Sequence, residues 1–184
     1  MAAMIEKIKS VLMTPDKFFA SVKKEQGYAE PVKYTALLSL AAFAVTSAVL
    51  SLIAGSFNIT GIVIGSVFIS VLFIILQFVS AVGTHIFVIL AGGKNGYSQT
   101  FKAGVYASTP VYLLGFVPLV SMVAVLYSLY LNIKGLSVLQ NMSMGRAAAV
   151  ILIPLLVVII LVAALVGVAI FAILSAASKG VPAV

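Results

Sequence analysis

Side chains that could carry out chemistry are scarce in this sequence. His85 is the only histidine among 184 residues, and there is no cysteine. All four carboxylates lie within the first thirty residues: Glu6, Asp16, Glu25 and Glu30. No acid is therefore placed to orient His85 or to form a pair for acid–base catalysis, and no cluster offers metal ligands at a useful spacing. We predict no catalytic residue, no metal and no cofactor, so we do not expect an enzyme.

Gln77 and His85 are the strongly polar residues of the second long apolar segment. One interpretation is that each forms a hydrogen bond to a neighbouring helix. The other is a polar site for a proton or ligand, because ionisable groups inside membrane spans often mark transport paths. We favour the first interpretation, because a lone histidine without an acid is a poor proton relay.

The composition indicates a membrane protein. Hydrophobic residues make up 63% of the chain and charged residues 8%, against roughly 25% charged in an average soluble domain. A soluble fold of this length could not bury so much apolar surface, so lipid is the expected solvent. The net charge of +7 does not indicate a nucleic-acid partner, because the basic residues are too dispersed to form a stripe.

The predicted fold is an all-α membrane bundle with five transmembrane helices. An amphipathic leader (1–31) precedes a membrane domain (32–178) and a short tail (179–184). The spans are predicted at about 32–54, 59–90, 100–116, 118–138 and 147–174. The third and fourth come from one apolar stretch, 101–138, which would be about 57 Å long as a single helix. Gly115 and Pro118 mark the turn between them, Pro110 should bend the third span, and Pro154 should kink the fifth.

The leader has the pattern of surface helices. Apolar residues recur at helical spacing over its first part, and Thr14-Pro15-Asp16 is typical of a helix start. We predict one or two short amphipathic helices over residues 4–25, lying on the membrane surface. The alternative is a plain solvated leader.

The basic residues predict the orientation. With five spans and the N-terminus inside, ten of the eleven basic residues fall on the inner side, and only Lys179 falls outside. We therefore expect a cytoplasmic N-terminus and an external C-terminus, in the plasma membrane if the source is a prokaryote.

Small residues recur every fourth position in three spans, which allows helices to approach closely. These stripes could serve packing within the bundle, which we favour, or an oligomer interface. They are Ser47, Ser51 and Gly55 in the first span, Gly61 and Gly65 in the second, and Ala163 and Gly167 in the fifth.

Several short motifs resemble the Yip1 domain family. They are Gly92-Gly93 through Tyr97-Ser98-Gln99-Thr100-Phe101, Tyr106-Ala107-Ser108-Thr109-Pro110, Leu126-Tyr127 to Lys134-Gly135-Leu136, Arg146-Ala147, and Thr14-Pro15 with Phe18-Phe19. The resemblance implies a five-span protein with a cytoplasmic N-terminus. Eukaryotic members act in vesicle traffic, contact Rab-type GTPases and associate with one another. This chain lacks their longer N-terminal region, which argues against a GTPase partner.

These observations lead to two hypotheses for the function. The first is a membrane-organising scaffold or trafficking-related adaptor, which binds lipid or partner proteins and could self-associate. Its contact residues would lie at the inner face: Lys94, Tyr97, Lys102, Lys134 and Arg146. The basic residues among them could instead only fix the topology. The second hypothesis is a small transporter or channel for a neutral or anionic solute, suggested by Gln77, His85 and the prolines that interrupt later spans.

Overall fold

A computed structural model describes residues 2–179, with side chains over residues 3–175. The described part of the chain is helical without any strand, which confirms the all-α prediction. Its helices are α1 (Ala2–Met13), α2 (Pro15–Val22), α3 (Ala29–Ile53), α4 (Ile59–Leu90), α5 (Tyr97–Ala107), α6 (Thr109–Leu114), α7 (Pro118–Leu139) and α8 (Met144–Lys179).

Four of the described helices are long and apolar enough to cross a membrane: α3, α4, α7 and α8. Four of the five predicted spans thus correspond to one long apolar helix each, whereas the third predicted span (100–116) is not a single helix but is divided into α5 and α6. The division follows from Pro110, which has no N–H to donate to the carbonyl of Tyr106. The Thr109 hydroxyl donates to that carbonyl instead, at 2.6 Å. The predicted bend at Pro110 is thus an interruption of the helix at Ser108.

The hydrophobic core lies at one end of the bundle, where α1 and α2 pack against α5 and α7. We call this the leader end. It also contains the α4–α5 turn (91–96) and the α7–α8 turn (140–143), since Asn95 contacts the end of α7 through a hydrogen bond from its backbone N–H to Gln140 Oε1 at 3.0 Å. Away from this end, the helices expose large apolar side chains over most of their length, as expected for surfaces that face lipid.

The leader helices are part of this core. Val11 and Phe19 are fully buried, and the Phe18 ring packs edge-on against Tyr106 with centroids 4.9 Å apart. The helical prediction for the leader is confirmed, and its place on the membrane surface stays a prediction. Its apolar face packs on protein, because α5 and α7 present aromatic and glycine surfaces to it. A Cβ at Gly135 would lie 2.9 Å from the Phe19 ring, so the glycine makes this contact possible.

The small-residue stripes do not coincide with the buried helix faces. Gly61, Ala163 and Gly167 are exposed, as is Gly55, whereas Ser47, Ser51 and Gly65 are half-buried. The buried stripe of α4 lies one position further along and consists of Ile62, Ser66 and Ser70. Side chains of α8 from Leu155 to Leu174 are all exposed. Within the described bundle, close packing of α8 is therefore limited to its first turns.

Candidate functional site at the leader end

Lys94 and Arg146, two of the predicted inner-face residues, are both at the surface of the leader end. Lys94 is in the α4–α5 turn and Arg146 is in the first turn of α8, and both are exposed. Arg146 Nη1 lies 3.8 Å from the position that a Cβ of Gly92 would occupy. The α4–α5 turn and the start of α8 are therefore neighbours, and each has an exposed cationic residue.

Lys102 does not lie at the surface, so it cannot contact lipid or a partner as predicted. Its side chain is fully buried. Its Nζ donates to the backbone carbonyl of Glu25 at 2.8 Å and to that of Val22 at 3.3 Å. Carbonyls at the end of a helix have no partner within that helix and carry the negative end of its dipole. Lys102 therefore closes the end of α2 and fixes it to α5.

Tyr97 and Lys134 also hold helices together. Tyr97 is half-buried on α5, and its hydroxyl donates to the Phe78 carbonyl on α4 at 2.7 Å. Lys134 Nζ lies 2.8 Å from Asp16 Oδ1, which joins α7 to α2. Both side chains thus have intramolecular partners, whereas Lys94 and Arg146 form no salt bridge among residues 3–175.

A polar network around Glu25 was not predicted from the sequence. One carboxylate oxygen of Glu25 accepts a hydrogen bond from Lys7 Nζ at 3.0 Å, and the other accepts from the Tyr106 hydroxyl at 2.8 Å. Lys7 Nζ also lies over the Tyr106 ring, 5.1 Å from its centroid. The network joins α1, the segment after α2, and α5. The sequence gives little indication of this network, because Glu25 lies in a polar break between helices that predicts a loop.

Five exposed basic residues form no salt bridge within the described residues. We call them the basic surface: Lys9, Lys17, Lys24, Lys94 and Arg146. The cations that do pair with carboxylates are Lys7, Lys33 and Lys134. Because the whole sequence has only four carboxylates, and three of these are engaged in those pairs, the leader end has an excess of unpaired positive charge.

A family model described as the Yip1 domain matches residues 9–176. The chain belongs to the Yip1 domain family. Comparisons with curated proteins and with solved structures return no match. The Yip1 family is a family of non-enzymatic membrane proteins, and the long apolar helices agree with an integral membrane protein. The match includes every residue of the basic surface.

In this Yip1 domain, Gln77 and His85 both bond to neighbouring helices. Gln77 Nε2 donates to Ser108 Oγ at 3.0 Å, and His85 Nδ1 lies 2.8 Å from Thr100 Oγ1. Thr100 also accepts a hydrogen bond from Gln140 Nε2 at 2.9 Å. This geometry agrees with the interpretation of the two residues as interhelical contacts. Among the described residues, no group of three His, Cys, Asp or Glu side chains could hold a metal ion.

Proposed function

We propose that this Yip1 domain protein is a non-enzymatic membrane organiser that concentrates anionic lipid around its leader end, facing the cytoplasm. The observation that supports the proposal is the basic surface, whose five cations are exposed and have no salt-bridge partner in the described residues. Lys102 and Lys134, which the sequence placed in the same role, belong to the framework that carries this surface. A trafficking-related adaptor would use the same surface for acidic segments of a partner protein.

The helix lengths support a path with five crossings. α4 and α7 both end at the leader end, where Asn95 bonds to Gln140. α7 has 22 residues and therefore extends about 33 Å from that end. α7 begins at the opposite end of the bundle, so the chain from Tyr97 to Leu114 must first cover the same distance away from the leader end. We infer that α5 and α6 together form the third crossing, with the C-terminus opposite the leader end.

Electrostatics set the size of the expected effect. A basic side chain near an anionic membrane surface contributes about 1 kcal/mol, so two engaged residues would enrich anionic lipid roughly thirtyfold at a local site. Exposed charges are screened by salt over a Debye length of about 8 Å at physiological ionic strength. The enrichment should therefore fall as salt rises, which distinguishes it from apolar lipid contacts.

The experiment measures lipid selection by the purified full chain in nanodiscs made of mixed phosphatidylcholine and phosphatidylglycerol. Mild extraction followed by native mass spectrometry gives the fraction of retained lipid that is anionic. We expect enrichment in the natural protein, and loss of most of it when the basic surface is neutralised together as Lys9→Gln, Lys17→Gln, Lys24→Gln, Lys94→Gln and Arg146→Gln.

The matched control keeps the charge at the same five positions, with arginine for each lysine and lysine for Arg146. It should retain the enrichment and its salt dependence. If the neutral and charge-retaining variants select anionic lipid equally, the basic surface has only a topological role and the proposal fails.

One observation favours the second candidate, a small transporter or channel. A polar cavity of about 160 Å³ lies between α4, α5 and α7, lined in part by Gln77, Ser108 and Asn132. No ionisable residue lines it, so a neutral solute suits it better than an anion. Flux of a neutral polyol into proteoliposomes, compared between the natural protein and Asn132→Leu, tests this candidate. Equal flux with protein-free liposomes would exclude it.

A further inference from the structure

The polar cavity between α4, α5 and α7 contains more hydrogen-bonding groups than the protein itself uses. Its polar lining residues are Gln77, Ser80, Thr84, Thr100, Ser108 and Asn132. Ser108 and Thr100 bond to Gln77, His85 and Gln140. In contrast, the Asn132 amide makes no hydrogen bond to another residue in the described structure. Asn132 is half-buried, and an amide that meets the hydrocarbon of a membrane with its donors and acceptor unpaired loses free energy.

An apolar groove adjoins this cavity. Its volume is about 360 Å³, and it lies between α4, α7 and α8. Thr84 and Asn132 line both spaces, so the Asn132 amide stands where the polar cavity meets the groove. The remaining wall of the groove is apolar or glycine: Gly83, Phe87, Leu129, Val150, Ile151, Pro154 and Leu155.

One further polar group at the groove lacks its ordinary partner. Pro154 has no N–H, so the Val150 carbonyl, four residues earlier in α8, has no helical donor from that position. Unpaired polar groups beside an apolar groove indicate a ligand with both polar and apolar parts.

We propose that the cavity and groove together bind a neutral glycerolipid with a free hydroxyl group, of the diacylglycerol type. The glycerol hydroxyl and an ester group would occupy the polar cavity and bond to Asn132, while one acyl chain would lie along the groove beside Gly83 and Pro154. The cavity offers space for roughly five water molecules, which suits a small hydroxylated head. This site is separate from the basic surface and does not depend on the proposed role of that surface.

The charge of the lining decides between lipid classes. A phosphate group in such a site needs a cationic side chain or a helix N-terminus to offset its desolvation. The residues lining the cavity and the groove include no lysine, arginine or histidine. An uncharged head is therefore favoured over a phospholipid head, even though the basic surface elsewhere favours anionic lipid.

The test uses the full chain in phosphatidylcholine nanodiscs that contain a trace of diacylglycerol with a photoreactive diazirine in one acyl chain. The same diazirine chain on phosphatidic acid is the charged comparison. After illumination, mass spectrometry locates the labelled peptides. We expect diacylglycerol to label α4, α7 and α8 around the groove, and phosphatidic acid to label these peptides several-fold less.

Two substitutions test the two parts of the site. Asn132→Leu removes the polar contact and should lower the labelling about fivefold, equivalent to about 1 kcal/mol for one hydrogen bond. Gly83→Leu fills the groove and should lower it at least as much. Gly65→Leu is the matched control, because it makes the same change on the same helix. A Cβ at either glycine meets nothing within 4 Å.

The outcomes are distinct. Labelling that falls with Gly83→Leu and Asn132→Leu but not with Gly65→Leu supports the site. If Asn132→Leu does not fold, the two glycine variants still decide. Equal labelling by phosphatidic acid would show ordinary contact with surrounding lipid and overturn the proposal. Two other outcomes would also overturn the proposal: labelling that no variant changes, and labelling that does not exceed that of a single-span control peptide. Either would mean that the cavity holds only water.

Discussion

Replacing Glu25 with glutamine should detach the leader from the bundle. Glu25 accepts hydrogen bonds from Lys7 and from the Tyr106 hydroxyl, and its side chain is about one-fifth exposed. Hydrogen bonds to charged groups contribute about 1.5–3 kcal/mol each, and a partner left unpaired in a buried site adds to the loss. Glutamine can still accept from Tyr106 but no longer pairs with the Lys7 charge. We expect the free energy of unfolding to fall by about 2 kcal/mol.

Unfolding in mixed micelles of a mild detergent and dodecyl sulfate, followed by circular dichroism, measures this change. Limited proteolysis gives a second, local readout, because a released leader exposes the lysines of α1 and α2 to trypsin. Glu6→Gln is the matched control: it removes the same charge from the same leader, at an exposed carboxylate that forms no salt bridge among the described residues. Equal stability and equal cleavage of the two variants would refute the role given to Glu25.

Two other predictions concern packing and topology. Gly135→Leu should cost several kcal/mol in the same unfolding assay, because a side chain would collide with Phe19, whereas Gly145→Leu, with open space around it, should cost little. Since the sequence has no cysteine, single cysteines at Lys94 and Phe116 can be labelled cleanly in oriented vesicles. They should react from opposite sides of the membrane, and labelling from the same side would contradict a third crossing through α5 and α6.

The sequence predicted the bounds of the long helices more accurately than the contacts between them. α4 runs over Ile59–Leu90, the same residues as the second predicted span, because Asn58 precedes a long apolar run and Gly92-Gly93 follows it. Hydropathy reports the preference for lipid and does not identify which face of a helix meets another helix. The prediction therefore favoured Gly61 and Gly65 as packing residues of α4, while Ile62, Ser66 and Ser70 are the buried residues of that part of the helix.

The same limit explains why the contacts of the leader and of Lys102 could not be predicted from the sequence. An amphipathic pattern shows that α1 and α2 have an apolar face, but membrane surface and protein surface satisfy that face equally well. The protein contacts of that face lie far along the chain, at Gly135 and at the aromatic ring of Tyr106. Lys102 looked like a surface cation because lysine is rarely buried. Its carbonyl partners at Val22 and Glu25 are about eighty residues away, beyond any local pattern.

The arrangement of packing and polar contacts has a consequence for how this Yip1 domain could act. Hydrogen bonds and ion pairs between distant segments concentrate at the leader end, where Glu25, Lys102 and Lys134 join the leader to α5 and α7. The long outer parts of the helices rely on lipid for their surroundings, and most of α8 is exposed. Polar networks specify one geometry more strictly than apolar contact does. The basic surface is thus carried by the most rigidly specified part of the molecule, which suits recognition of a surface better than movement of a solute.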